Sequence, residues 1–196
     1  GRECRGETAG WTMRVVAGTA WGRRVLAPEG TRARPTTDRV REAVFNALGS
    51  LDAVADARVL DLFAGSGALG IEALSRGAAH ATFVERDGAA RRVVEANLAT
   101  TGLGGDATVV AGDALAHLRD GSGEPYDLVL LDPPHDTDRW PDLLAALEHR
   151  VTEGAVVVIE SDRPVVGDDD PAWVVTREKR YGGTVVQMVQ PRRTRP

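Results

Sequence analysis

From Arg58 onward, the chain alternates short apolar segments with segments whose apolar residues have helical spacing. The predicted strands are 58–62, 81–84, 107–110, 128–131 and 155–159. The helices predicted between them are 68–75, 89–100, 114–118 and 140–151. The last two strands are almost continuously apolar, as expected for strands covered on both faces. The alternation therefore predicts an α/β fold, with a parallel, Rossmann-like sheet and right-handed crossovers.

The N-terminal part departs from this alternation. Segments 14–17 and 23–26 flank a glycine-containing turn and predict a hairpin. A helix is predicted to follow, with Thr37 as its N-cap and Gly49 at its end. Residues 1–12 show no period and are predicted to be a disordered leader or a cloning remnant.

The C-terminal part also departs from it. Segments 173–176 and 184–189 predict an antiparallel hairpin around Tyr181-Gly182-Gly183. We therefore expect a hairpin-and-helix extension over 13–50 and one α/β domain over 51–196.

The composition excludes several classes of protein. Cys4 is the only cysteine, so the chain has no internal disulfide and no cysteine-based metal cluster, which suits a reducing cytoplasm. Three of the four histidines lie far apart, without metal-ligand spacing, and no metal is expected: His80, His117 and His149. No apolar run is long enough to span a membrane, and no long apolar edge predicts an oligomer, so we expect a cytoplasmic monomer.

The charge is unevenly distributed along the chain. The formal net charge is −5, yet segment 14–41 has seven basic and two acidic residues and segment 177–196 has six and one, each a net +5. Local charge governs phosphate attraction within a Debye length of roughly 8–10 Å, so these segments favour a nucleic-acid partner. The alternative, that arginine is simply abundant here, stays open.

The first predicted strand of the α/β domain leads into a glycine-rich loop. Phe63-Ala64-Gly65-Ser66-Gly67-Ala68-Leu69-Gly70 fits the GxGxxG pattern, and Glu85 at the end of the next strand can accept both hydroxyls of a ribose. This pattern predicts an adenosine-containing cofactor. Asp61 favours S-adenosylmethionine over a dinucleotide, because a carboxylate there suits an ammonium and repels a pyrophosphate. Asp113 after the third strand can approach an adenine ring.

The fourth strand ends in Asp132-Pro133-Pro134-His135. The prolines fix the backbone and leave a carbonyl outside the strand ladder. An exocyclic base amine is a poor nucleophile, because its lone pair is delocalised into the ring. A rigid carboxylate and carbonyl that accept its two N–H bonds favour the nucleophilic, pyramidal geometry. The segment thus predicts methylation of an extruded base, on which a flat side chain can stack.

Several longer motifs can be read along the chain: Met13-Arg14-Val15-Val16-Ala17-Gly18, Gly22-Arg23-Arg24-Val25-Leu26, Arg34-Pro35-Thr36-Thr37-Asp38-Arg39-Val40-Arg41-Glu42-Ala43-Val44-Phe45-Asn46, Leu60-Asp61-Leu62-Phe63-Ala64-Gly65-Ser66-Gly67, Phe83-Val84-Glu85 and Asp132-Pro133-Pro134. Together these motifs resemble the RsmD family of bacterial 16S rRNA guanine-N2 methyltransferases. The resemblance implies a seven-stranded class I methyltransferase sheet and, as substrate, one guanine of small-subunit rRNA, presented in the assembling 30S particle.

The resemblance also implies roles for individual residues. The implied S-adenosylmethionine contacts are Asp61, Phe63, Ala64, Gly65, Ser66, Gly67, Glu85, Arg86, Asp113 and Ala114. The implied methyl-transfer site is Asp132, Pro133, Pro134 and His135, where the family pattern usually has an aromatic residue in place of the histidine. The implied RNA-binding residues are Arg23, Arg24, Arg34, Arg39 and Arg41.

Other functions share parts of this pattern. The nearest alternative is a methyltransferase for adenine N6 or a glutamine amide; Asp132, where glutamine methylation usually has asparagine, favours a base. An NAD-dependent oxidoreductase shares the glycine pattern and the downstream acid. The third alternative is a non-catalytic RNA-binding protein with a vestigial pocket. The presence of both strand-end motifs argues against it.

Overall fold

The structure is a computed structural model and describes residues 12–27, 35–134 and 136–192. The strands in these residues are β1 Thr12–Arg14, β2 Arg24–Leu26, β3 Arg58–Asp61, β4 His80–Glu85, β5 Ala107–Ala111, β6 Tyr126–Leu131, β7 Val151–Ser161, β8 Trp173–Tyr181 and β9 Thr184–Pro191. The helices are α1 Pro35–Ser50, α2 Ala68–Ser75, α3 Gly88–Thr101, α4 Ala114–Asp120 and α5 Trp140–Leu147. None of these helices is long and apolar enough to cross a membrane.

Seven of the described strands form one sheet, in the order β5-β4-β3-β6-β7-β9-β8. The first five are parallel, and β9 runs antiparallel between β7 and β8. The predicted parallel sheet and C-terminal hairpin are confirmed, as is the small N-terminal hairpin of β1 and β2.

Both faces of the sheet are covered by helices. Successive side chains of a strand point to opposite sides, so each central strand contributes to both layers. Val59 and Leu128 point to the face packed by α1, α2, α3 and the N-terminal hairpin. Leu60 and Val129 point to the face packed by α4 and α5. All four side chains are fully buried, which explains why the central strands are apolar at every position.

The N-terminal hairpin starts earlier than predicted. Its first strand is Thr12–Arg14, not 14–17, because the N–H groups of Val16 and Ala17 donate to the Glu72 carboxylate at 2.9 and 3.1 Å, outside the strand ladder. Thr12 belongs to this strand, so the predicted leader is wrong at its last residue. Residues 1–11 lie outside the described part of the chain.

Two predicted helix boundaries were wrong. Helix α1 begins at Pro35, so Thr37 lies in its first turn and is not the cap; proline suits a first position because it has no N–H to satisfy. Helix α5 ends at Leu147, whereas a helix to Val151 was predicted. Val151 instead pairs with Tyr126 and begins β7.

Strand β8 is longer than predicted and forms the edge of the sheet. Its second half, from Arg177 to Arg180, is charged and exposed, and its register with β9 shifts between Val175 and Arg177. Charged, solvated residues are typical of edge strands. They also interrupt the apolar alternation from which a strand is predicted.

Candidate active site

The two acidic strand ends predicted to form the site belong to neighbouring strands. β3 and β6 pair in parallel, with Asp61 opposite Leu130, so Asp132 lies two residues beyond that pair on the adjacent strand end. The carboxyl ends of parallel strands meet at one edge of a sheet, where open α/β folds bind their ligands. The predicted side-by-side placement of these two strand ends is confirmed.

A cavity of about 510 Å³ lies at this edge. Nine of the residues predicted for the site line it: Phe63, Gly65, Glu85, Arg86, Asp113, Ala114, Asp132, Pro133 and Pro134. Further lining residues were not predicted: Leu62, Val84, Gly112, Asp136, Thr137, Asp138, Arg139 and Leu143. The cavity thus collects the segments that follow β3, β4, β5 and β6.

Asp61 lies beneath the cavity and does not line it. It is 1% exposed, and its Oδ2 accepts the N–H of Gly70 at 3.0 Å. Burial raises the pKa of the Asp61 carboxyl to about 7; the Gly70 hydrogen bond opposes this rise, and the charges of Asp132 and Glu85 add to it. In this structure Asp61 therefore fixes the start of α2.

The glycines of the loop serve two different purposes. Gly67 has a φ of 78° and caps α2, a conformation that a side chain would strain. Gly70 lies where α2 approaches β4 closely, and a Cβ there would lie 2.3 Å from the Phe83 ring. Three of the predicted loop residues, Ala64, Ser66 and Gly67, do not line the cavity. Ala64 is buried, and the Ser66 carbonyl accepts an N–H of Asn97.

Glu85 ends β4 and connects two loops. Its Oε2 accepts the N–H of Gly65 at 3.0 Å, and its Oε1 accepts the N–H of Asp87 at 2.8 Å. Asp87 in turn caps α3 through the N–H groups of Ala89 and Ala90. The Glu85 carboxylate therefore lies at the floor of the cavity, between the glycine loop and the start of α3.

Asp113 caps α4 and forms an ion pair across the cavity wall. Its Oδ1 accepts the N–H of Ala116 at 3.1 Å. Arg139 donates from Nη1 to Oδ2 at 2.8 Å and from Nη2 to Oδ1 at 3.1 Å. The Arg139 hydrogen bond is the main reason why the pKa of Asp113 lies below its usual range. Sequence reasoning missed Arg139, because a single arginine in a loop carries no pattern.

Glu160 is an acidic residue near the site that sequence reasoning also missed. It directly follows Ile159, which pairs with Leu131, so Glu160 and Asp132 are in register on neighbouring strand ends. Burial raises the pKa of Glu160 to about 8; the charges of Asp132 and Asp61 add to the rise and that of Arg41 opposes it. An acid directly after an apolar strand was the available signal, but the predicted strand ended one residue before it.

The predicted RNA-binding arginines divide into two groups. Arg23 and Arg24 on the hairpin and Arg39 on α1 are exposed. Arg41, which was predicted to line the site or contact RNA, is 5% exposed, so its guanidinium is not accessible to RNA in this structure. Its Nη2 donates to the carbonyl of Arg14 at 2.6 Å. The ion-pair partners of this guanidinium are Asp38 at 3.2 Å and Glu72 at 3.8 Å.

Two predicted site residues, Arg34 and His135, lie outside the described residues.

Trp21, which was not predicted for any site, is 74% exposed in the hairpin turn. Within the described ranges, no group of three or more His, Cys, Asp or Glu side chains could hold a metal ion.

Comparison with known proteins places this site in a family. A family model described as conserved hypothetical protein 95 matches residues 13–190. The chain belongs to this family. The resemblance to the RsmD family is thereby confirmed.

Relatives of the chain align with most of its length. It is 39% identical to ribosomal RNA small subunit methyltransferase D of Escherichia coli (strain K12), over 91% of this chain and 89% of that protein. The protein of the same name from Haemophilus influenzae is 32% identical, over 87% and 89%. The solved structure of Escherichia coli yhhF has a TM-score of 0.80 at 38% identity, covering 92% of this chain and 98% of that one. The fold is that of class I methyltransferases.

Proposed function

We propose that this protein transfers a methyl group from S-adenosylmethionine to the exocyclic N2 amine of a guanine in 16S rRNA of the small ribosomal subunit. The observation that carries the proposal is the placement of Asp132 and Pro133 in one cavity with Glu85 and the glycine loop. The names of the relatives support small-subunit rRNA as the substrate. The protein is proposed to act as a cytoplasmic monomer.

The charge of the cavity suits a cationic methyl donor. Among the described residues that line it, five are acidic and two are basic. The acidic ones are Glu85, Asp113, Asp132, Asp136 and Asp138, and the basic ones are Arg86 and Arg139. An excess of carboxylates attracts a sulfonium and repels a pyrophosphate, which argues against the dinucleotide alternative. The volume of about 510 Å³ is within the usual range for a small-molecule site.

The cofactor residues have separate roles in this proposal. Glu85 holds the ribose hydroxyls and Asp113 the adenine amine, while the loop from Phe63 to Gly67 surrounds the methionine part, with Arg86 and Ala114 beside it. The ammonium contact of Asp61 remains a proposal, because in this structure the carboxylate is buried outside the cavity lining and its Oδ2 holds the N–H of Gly70 at the start of α2. When bound, the cofactor would supply the methyl group from its sulfonium, and the neutral thioether S-adenosylhomocysteine would be the leaving group.

The acceptor residues hold the target amine. Pro133 is buried and Pro134 is exposed. The segment after β6 is therefore packed into the protein at Pro133 and accessible to solvent at Pro134. The Asp132 carboxylate and the Pro133 carbonyl accept the two N–H bonds of the amine, which directs its lone pair towards the methyl group. Asp132 is proposed to take the proton that the amine loses. His135 is proposed to stack on the base.

The N-terminal extension is proposed to bind the RNA. Arg23, Arg24 and Arg39 are exposed and offer charge to phosphates, and Arg34 is proposed to join them. The exposed indole of Trp21 lies in the hairpin turn, directly before Gly22 and Arg23, and offers a flat surface on which an unpaired base can stack.

The test is methyl transfer from labelled S-adenosylmethionine to 30S particles that lack the modification, followed by mass spectrometry of the product nucleosides. N2-methylguanosine is expected. N6-methyladenosine would transfer the assignment to the adenine-methylating alternative. In parallel, S-adenosylhomocysteine should bind to the wild-type protein and NAD should not.

A further inference from the structure

The ion pair of Arg139 and Asp113 joins two walls of the cavity. Arg139 is the last residue before α5, and Asp113 is the residue that caps α4. Both helices pack on the same face of the sheet, where Leu118 and Leu147 belong to one buried cluster. The pair therefore ties the segment after β5 to the segment after β6.

Three donors fix the Asp113 carboxylate. The N–H of Ala116 holds Oδ1 from the helix side, and the guanidinium of Arg139 holds both oxygens in a bidentate arrangement. A planar guanidinium that donates two parallel hydrogen bonds fixes the orientation of a carboxylate as well as its position. An adenine amine that binds Asp113 thus meets an acceptor that is already oriented.

The turn that precedes Arg139 has hydrogen bonds of its own. The Thr137 N–H and Oγ1 both donate to the carbonyl of Pro134, at 3.0 and 2.8 Å. Loss of the Arg139 guanidinium would therefore release the Asp113 carboxylate, while these two hydrogen bonds after Pro134 remain.

We propose that Arg139 is a positioning residue for the cofactor: by donating to both oxygens of Asp113, it orients the carboxylate that contacts the adenine. The inference rests on the proposed function for the adenine role of Asp113. Arg139 is expected to act on cofactor retention and not on the methyl-transfer step itself, because its Nη1 and Nη2 both donate to Asp113.

The structure provides a matched control. Arg119 of α4 and Asp142 of α5 form another ion pair between the same two helices, at 3.8 Å, with both side chains more than 60% exposed. Neither residue lines the cavity. If the Arg139 pair served only to join the helices, removal of either pair would have the same effect.

The experiment compares Arg139→Ala, Arg139→Lys and Arg119→Ala in the full chain. The dissociation constant and dissociation rate of S-adenosylhomocysteine are measured by calorimetry and stopped flow, and KM and kcat by methyl transfer to 30S particles. Arg139→Ala should weaken S-adenosylhomocysteine binding about threefold to fivefold, mainly through faster dissociation, since ion pairs between solvent-exposed side chains contribute at most this order. It should raise KM for S-adenosylmethionine similarly and change kcat by less than about twofold.

The two controls limit the interpretation. Arg139→Lys should retain part of the affinity, because an ammonium replaces the charge but not the bidentate geometry. Arg119→Ala should bind S-adenosylhomocysteine as the wild type does. Melting temperatures of all variants show whether the fold is retained. Where Arg139→Ala unfolds at room temperature, Arg139→Gln, which keeps amide donors but loses the charge and the guanidinium fork, takes its place and should still dissociate from S-adenosylhomocysteine faster than the wild type.

Two results overturn the inference, and they are distinguishable. Wild-type protein that binds S-adenosylhomocysteine, together with an Arg139→Ala variant of equal affinity and dissociation rate, removes the positioning role and leaves the proposed function intact. Wild-type protein that does not bind S-adenosylhomocysteine at all refutes the proposed function, and the inference with it.

Discussion

Replacement of Gly70 by alanine tests how closely α2 must approach the sheet. A Cβ at this position would lie 2.3 and 2.7 Å from two ring carbons of Phe83 and 3.1 Å from Oδ2 of Asp61. Phe83 is fully buried in β4, so its ring has no free space into which it could turn. The start of α2 must therefore move outward, and the Gly70 N–H then moves away from the Asp61 carboxylate.

The expected cost follows from this geometry. Overpacking a tight core by one methyl group costs about 1–3 kcal/mol, and a loss of about 2 kcal/mol lowers the melting temperature of a chain of this size by roughly 4–8 °C. The affinity for S-adenosylhomocysteine should fall as well, because the loop before α2 lines the cavity. Calorimetric unfolding and an S-adenosylhomocysteine titration measure the two effects.

A control and a compensating variant sharpen this test. Gly49→Ala in α1 adds a methyl group where nothing lies within 4 Å, and it should stabilise the protein by up to about 1 kcal/mol. Phe83→Leu removes the ring edge, so the double variant Gly70→Ala/Phe83→Leu should be less destabilised than the sum of the two single variants. A Gly70→Ala protein with wild-type melting temperature and affinity would refute the reasoning.

Three further predictions concern the catalytic residue, the pH dependence and the RNA. Asp132→Ala should reduce kcat by at least about a hundredfold while S-adenosylhomocysteine binds within about twofold of wild type, and equal turnover would remove the carboxylate from the mechanism. The pKa of Asp61 is raised from 3.8 to about 7, so the folded state holds the proton more tightly; this contribution to stability is complete below pH 4 and is lost as the pH rises through 7. The melting temperature of the wild type should therefore fall between pH 5 and pH 8 more than that of Asp61→Asn, and parallel curves would contradict the assigned shift. Arg24→Ala should weaken binding to 30S particles and lower the salt dependence by about one charge, whereas Trp21→Ala should weaken it about tenfold with unchanged salt dependence; an equal slope for both variants would argue against base stacking.

The parts of the site that could be predicted from sequence are those whose chemistry is local. The glycine loop, Glu85 and Asp132 each follow a strand directly, and the carboxyl ends of parallel strands must meet at one edge. A pattern of five strands was therefore enough to bring Asp61 and Asp132 onto neighbouring strand ends, as the pairing of β3 with β6 confirms.

The parts that were missed depend on contacts between distant segments. Arg139 finds Asp113 only because α4 and α5 pack side by side, and no spacing in the sequence reveals that pair. The role of Arg41 was implied by the family resemblance, which does not show that its guanidinium is buried between α1, Glu72 and the hairpin. The boundary between α5 and β7 was misplaced because Val151 suits either element, and its pairing with Tyr126 decides the outcome.

The shortness of α2 has a consequence for anyone who mutates the hairpin. This helix has eight residues and is about 12 Å long. At one end its Gly70 N–H is held by Asp61, and near the other its Ser75 hydroxyl accepts the N–H of Ala20 in the hairpin. A rod of two turns transmits a tilt from one end to the other almost undiminished, so a damaged hairpin can misplace the glycine loop without touching it. A hairpin variant with poor activity is thus informative about RNA recognition only when its affinity for S-adenosylhomocysteine has been measured in the same preparation.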